Sequence, residues 1–279
     1  MLLVAYEGTS FHGFAAQPGQ LTVGGVIAET LSSMTGHEVT LTCAGRTDSG
    51  VHALAQVVHA DLDERVLEKW TGRALCPGMV LERLAFSLTY QLGGPVSVSE
   101  ARVAPEGFDA RHSATWRRYR YDLLRTEWAD PLLRRVSWHV PGELDLAAMR
   151  IGADAVLGEH DFSAFCRQAR GAAGPIIRRV TSTAWSPAPG DPRLWSFRIE
   201  ANAFCHQMVR SLVGALVAVG QGRIRAGDLL SILRGADRAR SGQPAPPGGL
   251  FLVGVGYPEA LVPGGTWAPG GGDWPSPQD

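Results

Sequence analysis

The chain has 279 residues, with 26 basic and 27 acidic side chains and a formal net charge of −1. Its 45% hydrophobic and 19% charged content excludes a disordered or collagen-like chain, and the length suits one large domain or two fused ones. The near-zero sum argues at first sight against a polyanion partner, but its distribution argues the other way. Residues 1–101 carry 5 basic and 10 acidic groups, residues 102–240 carry 21 Arg against 14 acidic groups, and the remainder holds only Glu259, Asp273 and Asp279. Lys69 is the single lysine. A basic middle built of arginine is the footprint a nucleic acid needs, because the guanidinium grips phosphate with two donors and stacks on bases.

In chain order, Leu2–Tyr6 is expected to form a short strand and Val26–Met34 a helix with apolar residues at helical spacing. Val39–Cys43 and Leu54–Ala60 read as strands around the loop 44–53. Leu62–Tyr90 reads as helical with a break at Cys76-Pro77-Gly78, and Val96–Val103 as a strand. Trp116–Leu124 alternates with period two. Trp116, Arg118, Arg120 and Asp122 share one face; Arg117, Tyr119, Tyr121 and Leu123 share the other. The second face sets two aromatics beside an arginine, which suits stacking an unstacked base and equally suits an ordinary core strand.

Leu144–Leu157 reads as a helix, and Ile176–Trp185 and Leu194–Ala201 as paired strands separated by Pro187, Pro189, Gly190 and Pro192. Phe204–Val219 is expected to be helical. Phe204, Met208, Val209, Leu212, Val213 and Leu216 form its apolar stripe, while His206, Arg210, Gly214 and Ala218 form a second face whose small residues indicate cover. Leu229–Leu233 is a short helix, Gly235–Gly249 a long loop, Leu250–Val255 a last strand and Leu261–Asp279 a flexible Pro/Gly-rich tail. Adjacent strand runs with helices between them predict an α+β fold.

Cys43, Cys76, Cys166 and Cys205 are too scattered for a zinc knuckle or a redox pair. His52, His59 and His206 make no metal set, so core or supporting roles are expected of them. The opening residues lack a basic leader, and no apolar run reaches the roughly 20 residues of a membrane span. A reducing cytoplasm is the expected compartment.

The densest chemical signal is Ala44-Gly45-Arg46-Thr47-Asp48-Ser49-Gly50-Val51-His52-Ala53. Two glycines permit a tight loop around a carboxylate, which can be a nucleophile, a base or a structural turn residue. Read alone, the loop fits an Asx-turn with a solvated Arg46 as well as it fits a site.

The segment Cys43–His59 resembles the active-site motif of the TruA family of tRNA pseudouridine synthases. Further stretches agree in order: Phe108-Asp109-Ala110-Arg111, Arg117-Arg118-Tyr119-Arg120-Tyr121, Gly158-Glu159-His160-Asp161-Phe162, Ala201-Asn202-Ala203-Phe204, His206-Gln207-Met208-Val209-Arg210 and Gly249-Leu250-Phe251-Leu252-Val253. The resemblance implies two similar ferredoxin-like or RRM-like α+β halves forming one extended antiparallel sheet, with helices on one face and a central active-site cleft. It places the halves at 1–105 and 106–258, with a tail from 259. It implies an isomerase converting uridine to pseudouridine in the anticodon stem-loop of tRNA, acting as a homodimer with no metal and no cofactor. Asp48 takes the place of the nucleophile and Arg46 that of the base-flipping arginine. Tyr119 takes the place of the tyrosine that stacks on the flipped base, and Arg210 that of the carboxylate's partner. Phe108, Asp109, Ala110, Arg111 and His112 match a segment that contacts RNA. Arg111, Arg117, Arg118, Arg120 and Arg125 are the expected tRNA contacts.

The chain departs from the family pattern at Tyr6-Glu7-Gly8, at Gly13-Phe14-Ala15, at Thr89–Gly93 with an insertion around Trp70–Leu84, and at Cys166–Gly174. Two other readings compete. Asp48-Ser49-Gly50 matches the D-[ST]-G of aspartic proteases, yet no second copy exists in the chain. A non-catalytic RNA-binding module is the stronger rival, separated from an enzyme by activity alone.

Overall fold

The computed structural model describes residues 1–63, 77–168 and 174–267. These fall into two compact units, Met1–Thr115 with the described part of Leu252–Gly270, and Trp116–Phe251. Both are α+β.

In the first unit, β1 (Leu2–Tyr6) lies between β3 (His52–His59) and β4 (Val96–Ala101), antiparallel to both. The short β2 (Thr42–Cys43) pairs β3, and β10 (Leu250–Gly256) lies on the other side of β3 from β1. Helix α1 (Val23–Thr35) starts three residues earlier than its apolar spacing predicts, because Thr22 Oγ1 accepts the Gly25 N–H and caps it. Helix α2 (Pro77–Leu92) begins at the predicted break, with Pro77 as its first residue, where a proline loses no helical bond. The remainder of the predicted helix and of the insertion, residues 64–76, lies outside the described residues. Val4, Ile27, Leu31, Val57, Leu84 and Leu88 are fully buried and form the core. On the outer face of α2, Phe86 and Tyr90 stack at 6.4 Å.

In the second unit the order is β5 (Trp116–Leu124), β9 (Asp191–Ala201), β8 (Ile177–Ala188), β7 (Gly158–Asp161), all antiparallel, with β6 (Trp138–His139) parallel to β5. β8 and β9 run further than expected. Pro187 and Pro192 lie inside them, and Ala188 faces Asp191 across a tight Pro189-Gly190 turn. Sequence periodicity did not reveal β6 and β7, which are too short to show alternation. Helices α3 (Leu146–Asp154), α4 (Met208–Gly220) and α5 (Asp228–Gly235) complete the unit. The long loop after α5 holds two 3-10 turns, Arg238–Ser241 and Pro247–Gly249.

Four differences bear on the site. Helix α4 starts at Met208 rather than Phe204, because Gln207 adopts a left-handed backbone (φ 65°) and receives Arg238 Nη2 on its side-chain oxygen at 2.8 Å. Only Thr42–Cys43 of the expected 39–43 strand pairs. β11 (Thr266–Trp267) pairs β10 inside the stretch read as a tail. Cys166 and Cys205, 39 residues apart, are joined by a disulfide with Cα atoms 5.7 Å apart, a pairing their sequence spacing does not suggest.

The face of β5 carrying Arg117, Tyr119, Tyr121 and Leu123 is buried throughout. Tyr121 donates to Pro246 O at 2.7 Å. Tyr121→Phe is expected to cost about 1 kcal/mol, read by thermal denaturation, because it removes one hydrogen bond and leaves the ring in place.

Candidate active site

β2 ends at Cys43, Ala44 N–H bonds to Val57 O at 2.8 Å, and the chain then leaves the sheet as a loop that rejoins it at His52. Burial pushes the Cys43 thiol up to about 11, so it is an inert core group. Within the loop Arg46 is exposed, Thr47 is buried and Asp48 is half-buried, and Val51 N–H closes a turn on Asp48 O at 3.1 Å.

The segment 6–14 lies along this loop. Phe14 N–H bonds to Thr47 O (3.2 Å), Gly50 N–H and Ser49 Oγ bond to Phe11 O (3.3 and 3.2 Å), and Gly8 N–H bonds to His52 Nδ1 (2.9 Å). Two glycines make the approach close enough. A Cβ on Gly8 would stand 2.0 Å from Val51 O, and one on Gly13, whose φ is +89°, 2.8 Å from Thr47 O. Because His52 Nδ1 accepts a hydrogen bond, its lone pair is directed at Gly8, and the Glu7 carboxylate 3.8 Å away is a neighbour rather than an ion-pair partner. His59 Nδ1 likewise accepts the Ala110 N–H at 3.0 Å, so both histidines have the supporting roles expected of them; His206 is exposed.

The turn at Phe108–His112 divides between core and surface. Phe108 packs on Tyr257 (5.1 Å between centroids) and edge-on to His59, and Ala110 is fully buried with its carbonyl accepting the Tyr257 hydroxyl at 2.7 Å. Asp109 accepts the N–H groups of His112 and Arg111 at 2.7 and 2.8 Å, and these hold its carboxyl below the usual range. Arg111 and His112 face outward. Of the five residues, these two have side chains placed to meet a ligand.

In the second unit, Tyr119 is buried with its ring at right angles to that of Phe204, centroids 5.0 Å apart. Phe204 is thus displaced from the predicted helix stripe to the edge of Tyr119. Arg117 is buried and donates to Asn202 O at 2.9 Å. On the opposite face Arg118 stacks on Trp116 and pairs with Glu200 at 2.6 Å, and Arg120 pairs with Asp122 at 3.0 Å. Asp122 also accepts from Ser196 Oγ at 2.6 Å, and burial pushes its carboxyl up against the opposing pull of Arg120. Arg125 lies over the Trp195 ring. Arg117, Arg118, Arg120 and Arg125, all expected to contact tRNA, therefore have protein partners.

Arg210 lies in the first turn of α4. Its Nε donates to Ala245 O at 2.8 Å, and its own carbonyl accepts the Ala245 N–H at 2.9 Å. The segment 243–245 crosses the helix here, and a Cβ on Gly214 would stand 2.1 Å from Gln243 O. The small-residue face is covered, as its composition predicts, and a length of backbone is what covers it.

Sequence reasoning did not single out Tyr6, Gln56 or Ala245. Gln56 left one trace, a lone amide in the middle of an apolar strand.

Residues 2–76 and 153–258 match the family model described as tRNA pseudouridine synthase, a range that includes Arg46, Asp48 and Arg210 and omits Phe108–His112 and Tyr119. The chain is 42% identical over 265 residues to tRNA pseudouridine synthase A of Leifsonia xyli subsp. xyli (strain CTCB07), covering 91% of this chain and 90% of that protein. It is 40% identical over 266 residues to the protein of that name from Methylobacterium nodulans (strain LMG 21967 / CNCM I-2342 / ORS 2060), covering 94% and 96%. The corresponding Streptomyces griseus subsp. griseus protein (strain JCM 4626 / CBS 651.72 / NBRC 13350 / KCC S-0626 / ISP 5235) is 41% identical over 266 residues, covering 93% and 88%.

Proposed function

This chain belongs to the tRNA pseudouridine synthase family, and from that premise we propose that it isomerises uridines in the anticodon stem-loop of tRNA with Asp48 as nucleophile. The observation that carries the reading is the match over nine-tenths of the chain to proteins named tRNA pseudouridine synthase A, with the Asp48 loop inside the range matched by the family model.

The target nucleotide leaves its stack, at a cost of a few kcal/mol. Arg46 occupies the vacated space and Tyr119 receives the base on its ring. The Asp48 carboxylate adds to base or sugar, and the bond between N1 and the ribose breaks. The base turns, C5 bonds to the ribose carbon, the bond to Asp48 breaks and returns the free carboxylate, C5 gives up its proton and N1 gains one, so the product is an isomer and no electrons are exchanged. Arg210 holds the carboxylate by charge and aim. Arg111 and His112 contact the RNA backbone. The protein works in the cytoplasm as a homodimer, a state that light scattering on the purified protein checks.

Tritium release from uridine-labelled tRNA, followed by mapping of the modified positions, tests the reading. Release with product in the anticodon stem-loop supports it, whereas binding without release makes the chain an RNA-binding module. Arg111→Ala is expected to weaken binding across tRNA sequences alike and to lower the slope of log affinity against log salt by about one, the signature of one lost phosphate contact. Filter binding over a salt series reads both.

A further inference from the structure

Thr47, the residue between Arg46 and Asp48, is held from two sides by groups outside its loop. Its carbonyl accepts the Phe14 N–H, and its Oγ1 lies 2.8 Å from the Tyr6 phenol oxygen. Behind Tyr6 stands Gln56, fully buried, whose Nε2 donates to Gly45 O at 2.7 Å and to the Tyr6 oxygen at 3.4 Å, while its Oε1 accepts the Gly45 N–H. An amide has two N–H donors and one oxygen, so these three contacts use each once and fix its orientation. The Tyr6 oxygen accepts from Gln56 and shares a hydrogen bond with Thr47 Oγ1 in which either hydroxyl can donate. Burial pushes the Tyr6 phenol up, so it keeps its proton and both hydroxyls remain available to the bond.

The chain of bonds therefore runs Gln56 to Tyr6 to Thr47 and Gln56 to Gly45. It ties β1 and β3 to the two loop residues that flank Arg46, the second of which precedes Asp48. Thr47 and Tyr6 are 7% and 5% exposed, and a hydrogen-bond chain sealed from water has no solvent to replace a lost member.

We propose that Tyr6 and Gln56 are positioning residues for the isomerisation: a buried phenol–amide pair that sets the aim of Asp48 and Arg46 by holding Thr47 and Gly45. The inference rests on Asp48 as nucleophile. It assigns the two residues no contact with RNA, so their loss is felt in the chemical step and not in binding.

The test is a set of four variants assayed for tritium release from tRNA: Tyr6→Phe, Thr47→Val, the two combined, and Thr30→Val. Thr30→Val removes a buried hydroxyl bonded to Val26 O within α1, away from the loop. Tyr6→Phe keeps the ring and its packing on Phe14. Misaiming a reactive group by a fraction of an ångström costs up to about 100-fold, so kcat for Tyr6→Phe is expected to fall about tenfold while KM for tRNA stays within about twofold. The double variant should be no slower than the slower single one, since both remove the same bond. Thr30→Val should keep wild-type kcat. A wild-type kcat in Tyr6→Phe, an equal loss in Thr30→Val, or multiplicative losses in the double variant each overturn the proposal. An inactive wild-type protein instead overturns the functional reading beneath it.

Discussion

Asp48→Ala and Asp48→Asn are expected to abolish tritium release from tRNA and to leave tRNA affinity within a few-fold of wild type. Removing a covalent nucleophile costs about four orders of magnitude or more in kcat, because the remaining groups have nothing to aim. The bonds of Thr47, Ser49, Gly50 and the main-chain oxygen of Asp48 that fasten the loop to its surroundings remain in place in both variants. Asparagine preserves shape and removes charge, so it isolates the nucleophile from the packing. Affinity is expected to persist, because the proposed phosphate contacts are made by arginines and not by this carboxylate. Turnover by purified Asp48→Ala at the wild-type rate would falsify the assignment.

Gly214→Ala is the second large effect, and it acts without touching a reacting group. The added methyl has backbone 2.1 Å away, at Gln243 O, and a further contact at 3.2 Å with Ala245 N. Backbone cannot rotate aside as a side chain can, so the segment 243–245 must lift off α4. Both bonds between Ala245 and Arg210 then break, and the guanidinium loses the carbonyl that orients it. The expected result is a fall in kcat of about 100-fold with a loss of about 1–3 kcal/mol in stability. Gly227→Ala is the control: nothing lies within 4 Å of its Cβ and its φ is −66°, so it should match wild type in both measurements.

How much of this was legible depends on how far apart the interacting residues lie in the chain. β1 and β5 match their predicted limits because alternation is a property of the strand itself. The start of α4 differs from the expected one because a single left-handed residue, Gln207, precedes Met208 and keeps the helix from beginning earlier, and nothing in its side chain announces that geometry. The Asp48 loop was visible through Gly45 and Gly50, yet the groups that hold it were hidden. Tyr6 and Thr47 are 41 residues apart, and their meeting depends on how β1 pairs with β3. The arginines of β5 show the same limit. Arg118 was read as a tRNA contact, but register sets it opposite Glu200. Arg120 and Asp122 share a face two residues apart, so that pair was open to the eye from the start.

The first unit draws on both early and late parts of the chain, whereas the described residues of the second fall within one continuous stretch, Trp116–Phe251. During translation the second unit is therefore complete while the first still lacks β10, the neighbour of β3, and Tyr257, which secures the Phe108–His112 turn. The strand that leads out of the Asp48 loop, already paired by β1 and by the short β2, gains β10 only when residues 250–256 leave the ribosome. A nascent chain stalled before them has a finished second unit and an unfinished first one. The order of synthesis thus makes the sheet of the first unit the last part of the fold to close.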